Sequence, residues 1–223
     1  MLQPSNPVEQ LGEDIAALAM RIHAGTYQLL VMLREFDSQK GWHNGFLSCA
    51  HWLSWRTGID MGAARDIYAH YVLHSLATFE EVPPTLDDML MRRRASVDLG
   101  LPYLVAEARG EIAGFAYAGA YHRRPAYRFA IEDSVYVADG LGGRGIGSAL
   151  LGDLIARCES GPWRQMIAVV GDSANLGSIA LHRRFGFEPM GTLRSVGFKF
   201  GRWVDTPILQ RALRIGDKEP PAL

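Results

Sequence analysis

The chain has 223 residues, 48% of them hydrophobic and 21% charged, which leaves room for one full core plus an appendage or for two small domains. Its formal net charge is −1, so nothing draws the whole molecule to nucleic acid or to an anionic membrane, and either partner would need a local patch. Cys49 and Cys158 belong to no CxxC pair, which argues against a disulfide framework or a metal site.

Residues 1–10 are polar, carry two prolines and read as frayed. From Leu11 the apolar positions Ile15, Leu18, Ile22, Leu29, Leu33 and Phe36 recur at roughly helical steps, predicting a long amphipathic helix that ends before Lys40 and Gly41. There is no basic region followed by an apolar run, and no apolar stretch approaches a membrane span, so the expectation is a cytoplasmic protein without membrane or nucleic-acid partners. An aromatic-rich segment follows, with Trp42, Phe46, Trp52, Leu53 and Trp55, and Ser48 as a candidate N-cap.

Ile67, Tyr68, Tyr71, Val72 and Leu76 predict another helix. Pro83-Pro84 then breaks the chain, and Thr85, with Asp87 and Asp88 in the first turn, starts the next. Strands over 103–107 and 112–121 form a hairpin about Arg109-Gly110, and a third over 127–138 leads into the glycine-rich residues 142–148. Beyond come a helix over 145–159, a strand over 166–170, and a helix over 175–185 closed by Gly186. Two antiparallel strands over 192–200 and 203–213 precede a tail with Pro220-Pro221, expected to be disordered.

Strand, glycine turn and helix together make an anion site, because free N–H groups and the positive end of a helix dipole converge there. Residues 140–145 match the dinucleotide fingerprint GxGxxG, with Asp172 after the next strand, so an NAD(P)-dependent oxidoreductase stays open on that motif. The fingerprint, however, belongs after the first strand of a repeated βαβ sheet, and here it follows a hairpin. A nucleoside-triphosphate loop needs Lys before Ser148, where Gly147 stands. A turn without a ligand would spend conformational entropy on many glycines with no packing return.

The surrounding residues carry a third reading. Gly143, Arg144, Gly145, Ile146 and Gly147, with Asn175, Ser178, Leu181, His182, Gly186 and Phe187, resemble the GNAT acetyltransferase superfamily. Residues 132–137 and 196–203 are similar to the phosphinothricin and methionine sulfoximine N-acetyltransferases, a resemblance that covers about 66–213. It implies an α+β fold, a mixed, mostly antiparallel sheet with flanking helices, here preceded by a helical N-terminal segment. It also implies transfer of acetyl from acetyl-CoA to the primary amine of a small amino-acid-like substrate. Gly142 departs from the pattern, since the family usually carries Gln or Arg there, and a modest loss of CoA affinity is expected.

The resemblance assigns roles as well. An amine attacks a thioester only when neutral, and Glu132 stands in the base position that would deprotonate it. His182 occupies the place of the tyrosine that protonates the departing thiolate in many members; a lone helix histidine is also commonly structural. The acetyl-CoA site falls to Val135, Tyr136 and Val137 for pantetheine, residues 143–148 (Gly143, Arg144, Gly145, Ile146, Gly147, Ser148) for pyrophosphate, and Asn175 and Arg184. The amine site falls to His122, Arg123 and Arg124, with Glu132, Asp133 and Ser134; a basic loop is otherwise simply solvated. Tyr127, Arg128 and Phe79 are further candidates, and no metal is implied.

Residues 48–58 resemble the helical region found upstream of bacterial HNH nuclease domains, but no HNH-type cluster follows. The expected division is a helical segment over 1–65, the acetyltransferase domain over 66–215 and the tail over 216–223. The strand that normally opens such a domain is missing, and an uncovered sheet edge would favour a homodimer. A non-catalytic CoA-binding fusion protein is the remaining alternative.

Overall fold

The computed structural model describes residues 6–42, 49, 52–53 and 61–221, so the expectations placed on Phe46, Ser48, Trp55 and most of the 48–58 motif lie outside the described residues. The chain divides into two compact units, 1–59 and 60–223. In the first, helix α1 (Pro7–Ser38) starts earlier than predicted. Asn6 caps it by accepting the Val8 N–H at 3.1 Å, and Pro7 supplies a preset first turn. The Phe36 ring packs on Trp52 at 4.1 Å, and Trp42 Nε1 donates to Asp37 at 2.7 Å. By length and mean hydropathy alone α1 could cross a membrane, which corrects the expectation that no stretch approaches such a span.

The second unit is a six-stranded sheet with helices on both faces. Helix α2 (Met61–His74) belongs to it whole, because Met61 and Ala64 are buried with Ile67, Tyr68 and Val72; the unit therefore begins before residue 66. Helix α3 (Leu86–Asp98) opens with a capping box in which Thr85 and Asp88 bond each other's backbone N–H. The strands are β1 (Tyr103–Ala108), β2 (Glu111–Ala120), β3 (Ala130–Val137), β4 (Gln165–Val169), β5 (Glu188–Lys199) and β6 (Arg202–Ala212), in the order β1-β2-β3-β4-β6-β5. Helices α4 (Ile146–Glu159) and α5 (Leu176–Arg184) join β3 to β4 and β4 to β5.

Only β3 and β4 run parallel; every other neighbouring pair is antiparallel. That removes the oxidoreductase alternative, since the dinucleotide fingerprint needs a repeated parallel βαβ sheet. Asp172, its candidate ribose ligand, instead pairs with Arg202 at 3.0 Å and accepts the Ala174 N–H.

Two strands start elsewhere than predicted. β3 starts at Ala130 because Pro125 opens a 3-10 turn over Pro125–Tyr127. β5 starts at Glu188 because its pairing with β6 runs on through two irregularities. The described tail turns back on itself, with Gly216 N–H on Leu213 O and Lys218 N–H on Ile215 O. Among the described residues no strand precedes α2, and β1 and β5 are the sheet edges.

Two cores sit on opposite faces. One joins α4 and α5 to Ala116, Ala118, Ile131 and Met166; the other joins α2 and α3 to Tyr103, Phe115 and the ring of Tyr136. β3 lies between them, and its side chains alternate from one to the other.

Candidate active site

β3 and β4 pair over three positions only, Ala130 with Gln165, Ile131 with Met166 and Glu132 with Ile167. Past Glu132 the strands part and a fork opens. On the other side, β3 stays paired with β2 as far as Val137. Ala138 N–H donates to Ala113 and Tyr121 N–H to Ala130, so the even-numbered residues of β3 spend their backbone groups on β2. The odd ones, Asp133, Val135 and Val137, therefore turn theirs into the fork. The Val137 carbonyl accepts the Tyr71 hydroxyl at 2.8 Å. Tyr136 alternates the other way: its backbone faces β2, and its ring lies among Tyr68, Tyr71 and Phe115 at 4.9–5.2 Å.

The fork is the middle of a cavity of about 930 Å³ that runs from Thr78, Phe79, Tyr117 and Glu132 to the glycine turn. At that far end Gly143 has φ +73° and Gly145 φ +85°, a left-handed conformation that side chains resist. Gly145 sits at the N-cap of α4 and offers no side chain to its first turn, so the N–H groups there point out uncapped. Gly143, Gly145, Ile146, Gly147 and Ser148 line the cavity, whereas Arg144 is exposed and outside it. Asn175 and Arg184 line it as well; Asn175 is also the N-cap of α5, its side chain accepting the Ser178 N–H at 3.2 Å.

Glu132 and Ser134 point to the α2/α3 face. Burial, and secondarily the charge of Asp133, push the Glu132 carboxyl up to about 7. Ser134 stands opposite Tyr117 and bonds its hydroxyl. Asp133 points the other way, where its Oδ2 meets His182 Nε2 at 2.9 Å; both side chains are almost fully buried. The second ring nitrogen of His182 donates to Ser178 O at 2.7 Å. With an acceptor on each nitrogen the ring is held as imidazolium. Burial pulls its pKa down, but the Asp133 hydrogen bond and charge and the Ser178 carbonyl outweigh it, for a net rise. Neither nitrogen is spare for a departing thiolate, although Asp133 and His182 both line the cavity.

The structure does not bring His122, Arg123 and Arg124 to this cavity. β2 ends at Ala120, and they follow on an exposed loop where the His122 ring packs between Tyr121 and Tyr127 at 4.2 and 4.9 Å. The Glu132 end of the cavity is instead walled by Thr78 and Phe79, from the loop after α2. Thr78 Oγ1 bonds Tyr68 OH, which donates to Glu80, itself held bidentately by Arg92 at 2.7 and 3.1 Å. Lys199, 2% exposed, donates to Ser75 O and Thr78 O, both at 2.8 Å. Sequence reasoning missed Tyr117, Thr78 and Lys199. Alternation along β2 could have placed Phe115 and Tyr117 on one face, but the register that sets Tyr117 against Ser134 has no local signal.

An acyl-CoA fits the residues present. The fork offers a strand edge that no strand pairs, the far end an uncapped helix N-terminus, and the cavity-lining Asp133 Oδ1 and Thr206 Oγ1, both buried, lack a partner among the described residues.

A sequence model of the Acetyltransferase (GNAT) family matches residues 66–187. The phosphinothricin N-acetyltransferase of Alcaligenes faecalis is 56% identical over 164 residues, 73% of this chain and 82% of that protein. The L-methionine sulfoximine/L-methionine sulfone acetyltransferase of Salmonella typhimurium is 36% identical over 154 residues, 69% of this chain and 90% of that protein. Among solved structures, a GNAT superfamily phosphinothricin acetyltransferase from Sinorhizobium meliloti in complex with AcCoA superposes with a TM-score of 0.71 at 45% identity, covering 74% of this chain and 89% of that one.

Proposed function

This chain belongs to the acetyltransferase (GNAT) family, and we propose that within it Glu132 is the general base acting on an amino acid of the phosphinothricin or methionine sulfoximine type. The reaction is transfer of acetyl from acetyl-CoA to the primary amine of a small amino-acid-like substrate. The observation that carries the assignment is the placement of Glu132 at the closed end of the fork, facing the cavity, with a carboxyl that titrates near neutrality.

Acetyl-CoA supplies the acetyl group as a thioester, already activated toward an amine. Val135 and Val137 offer their backbone edge to the pantetheine arm, and the first turn of α4 offers its N–H groups to the pyrophosphate. Glu132, ionised above about 7, takes a proton from the substrate ammonium and leaves a neutral nucleophile. Thr78, Phe79, Ser134 and Tyr117 bound the space beside it. His182, expected as the thiolate acid, is better read as the buried cation that locks β3 to α5 through Asp133. The loop with His122, Arg123 and Arg124 takes no part in the cavity. A cytoplasmic location belongs to the same proposal, since a free amino acid and acetyl-CoA meet there.

The test is thiol release from acetyl-CoA by the full chain with L-phosphinothricin, L-methionine sulfoximine, other amino acids or no amine. The expected result is release that depends on one of the first two. Release with neither, alongside tight CoA binding, would support the non-catalytic fusion instead.

A further inference from the structure

Helix α1 is 32 residues long and none of its residues is buried. From Val8 its apolar side chains keep a seven-residue repeat. Val8, Ile15, Ile22 and Leu29 fall at the first (a) position of each heptad, and Leu11, Leu18, Gly25 and Met32 at the fourth (d). The seven apolar members of that set are 47–73% exposed. Four heptads of this kind form the seam of a coiled coil, not the broader stripe of a helix lying on a globular core. At the end of the repeat, Phe36 is covered by Trp52, so the open seam runs from Val8 to Met32.

We propose that α1 pairs with α1 of a second copy of this chain as a parallel, two-stranded coiled coil. The seam chemistry selects that occupant. β-Branched Val8, Ile15 and Ile22 at a, with Leu11 and Leu18 at d, is the combination that favours two parallel strands. The flanking charges permit it too. Asp14, Arg21, Gln28 and Glu35 stand at g, and the facing e positions hold Gly12, Ala19, Thr26 and Leu33, so no like charges meet in register. Gly25 leaves one gap in the seam, and Met20, Tyr27, Leu30 and Val31 are apolar and exposed outside it.

A lipid surface fits less well. α1 carries five carboxylates (Glu9, Glu13, Asp14, Glu35, Asp37) against Arg21 and Arg34, whereas interfacial helices have a polar face rich in Lys and Arg.

The experiment uses the full chain with Cys49 and Cys158 in place and one cysteine added at a time, oxidised and run on a non-reducing gel beside the parent protein, with acetyl transfer checked to confirm the fold. Leu11→Cys and Met32→Cys should each form a disulfide-linked dimer with itself, and Glu13→Cys, on the outer face, should not. Adding Ile15→Asp and Ile22→Asp to Leu11→Cys should cut the linked fraction at least tenfold. Failure of either seam cysteine to link in active protein overturns the proposal. So does linkage only between Leu11→Cys and Met32→Cys when mixed, which marks an antiparallel pair. Flotation of unlinked protein with phosphatidylcholine/phosphatidylglycerol vesicles would overturn it in favour of lipid.

Discussion

Glu132 and Asp133 are consecutive carboxylates on one strand, yet the two faces of β3 give them opposite fates. Asp133 meets a buried imidazolium and becomes part of the frame. Glu132 meets no cation among the described residues, faces the cavity, and is pushed up to about 7 by burial and by its neighbour's charge. The difference shows how one strand can hold a fixed charge and a titrating one 3–4 Å apart along the chain: the first is neutralised from one helix layer while its field reaches the second through the sheet.

The largest expected effect comes from removing the titrating member. Glu132→Gln should lower kcat about 10²–10⁴-fold, the range of positioned acid–base catalysis, with CoA binding unchanged. Wild-type kcat/KM should rise with pH through about 7 and the variant's should not. Stability runs the opposite way. A carboxyl raised on folding stabilises fully below about 4.5, and that contribution is lost as pH climbs through about 7. His182, also raised, stabilises fully below 6.5 and loses its contribution above its own folded pKa. The wild-type Tm should therefore fall from pH 5 to pH 8, and Glu132→Gln should flatten part of the fall. Full activity in the variant would remove the base from Glu132.

Asp133→Asn breaks the comparison from its fixed side. Leaving a buried imidazolium without its counter-charge costs about 3–5 kcal/mol, visible as a lower denaturation midpoint. Because the Asp133 charge also raises Glu132, the midpoint of the pH–rate profile should move to lower pH in whatever folded enzyme remains. A profile that stays put would mean burial alone sets the base.

The sheet, its two late helices and the glycine turn were legible in the sequence because alternation, helical spacing and turn residues are local signals, and residues 132–137 with 143–148 carried the resemblance that implies the acetyl-CoA site. What could not be read was which way a residue faces and what meets it there. Glu132 and Asp133 look alike in sequence; only the register of β3 against β2 and the packing of α5 separate them. The resemblance sets His122, Arg123 and Arg124 beside the amine, but they follow β2 on an exposed loop and do not line the cavity. Nothing local marks Lys199 as buried, because its burial depends on carbonyls more than 120 positions earlier in the chain.

Lys199 gives a smaller effect on the Glu132 face. Lys199→Met would strand the Ser75 and Thr78 carbonyls, costing about 1–3 kcal/mol. The loop they anchor carries Thr78 and Phe79 on the cavity wall, so KM for the amine should rise more than kcat falls. Lys199→Arg should restore part of the loss. Equal change in kcat alone would show that the loop does not shape the amine site.

The smallest effect lies at the far end of the fork, where the Asp133 face of β3 leads to the pyrophosphate turn. A side chain at Gly142 would meet nothing within 4 Å, and its φ is not left-handed, so Gly142→Arg adds a cation without strain. Surface charge of this kind adds about 0.3–1 kcal/mol, a few-fold tighter CoA binding that fades as salt is raised. Gly145→Ala, at φ +85°, must instead hold a left-handed alanine, which costs about 1–2 kcal/mol and distorts the N–H groups proposed to bind the phosphates. Calorimetric titration with CoA separates the two. Tighter binding in Gly142→Arg and weaker binding in Gly145→Ala would show that backbone conformation is what Gly143 and Gly145 supply at this turn, and that Gly142 stands free of it.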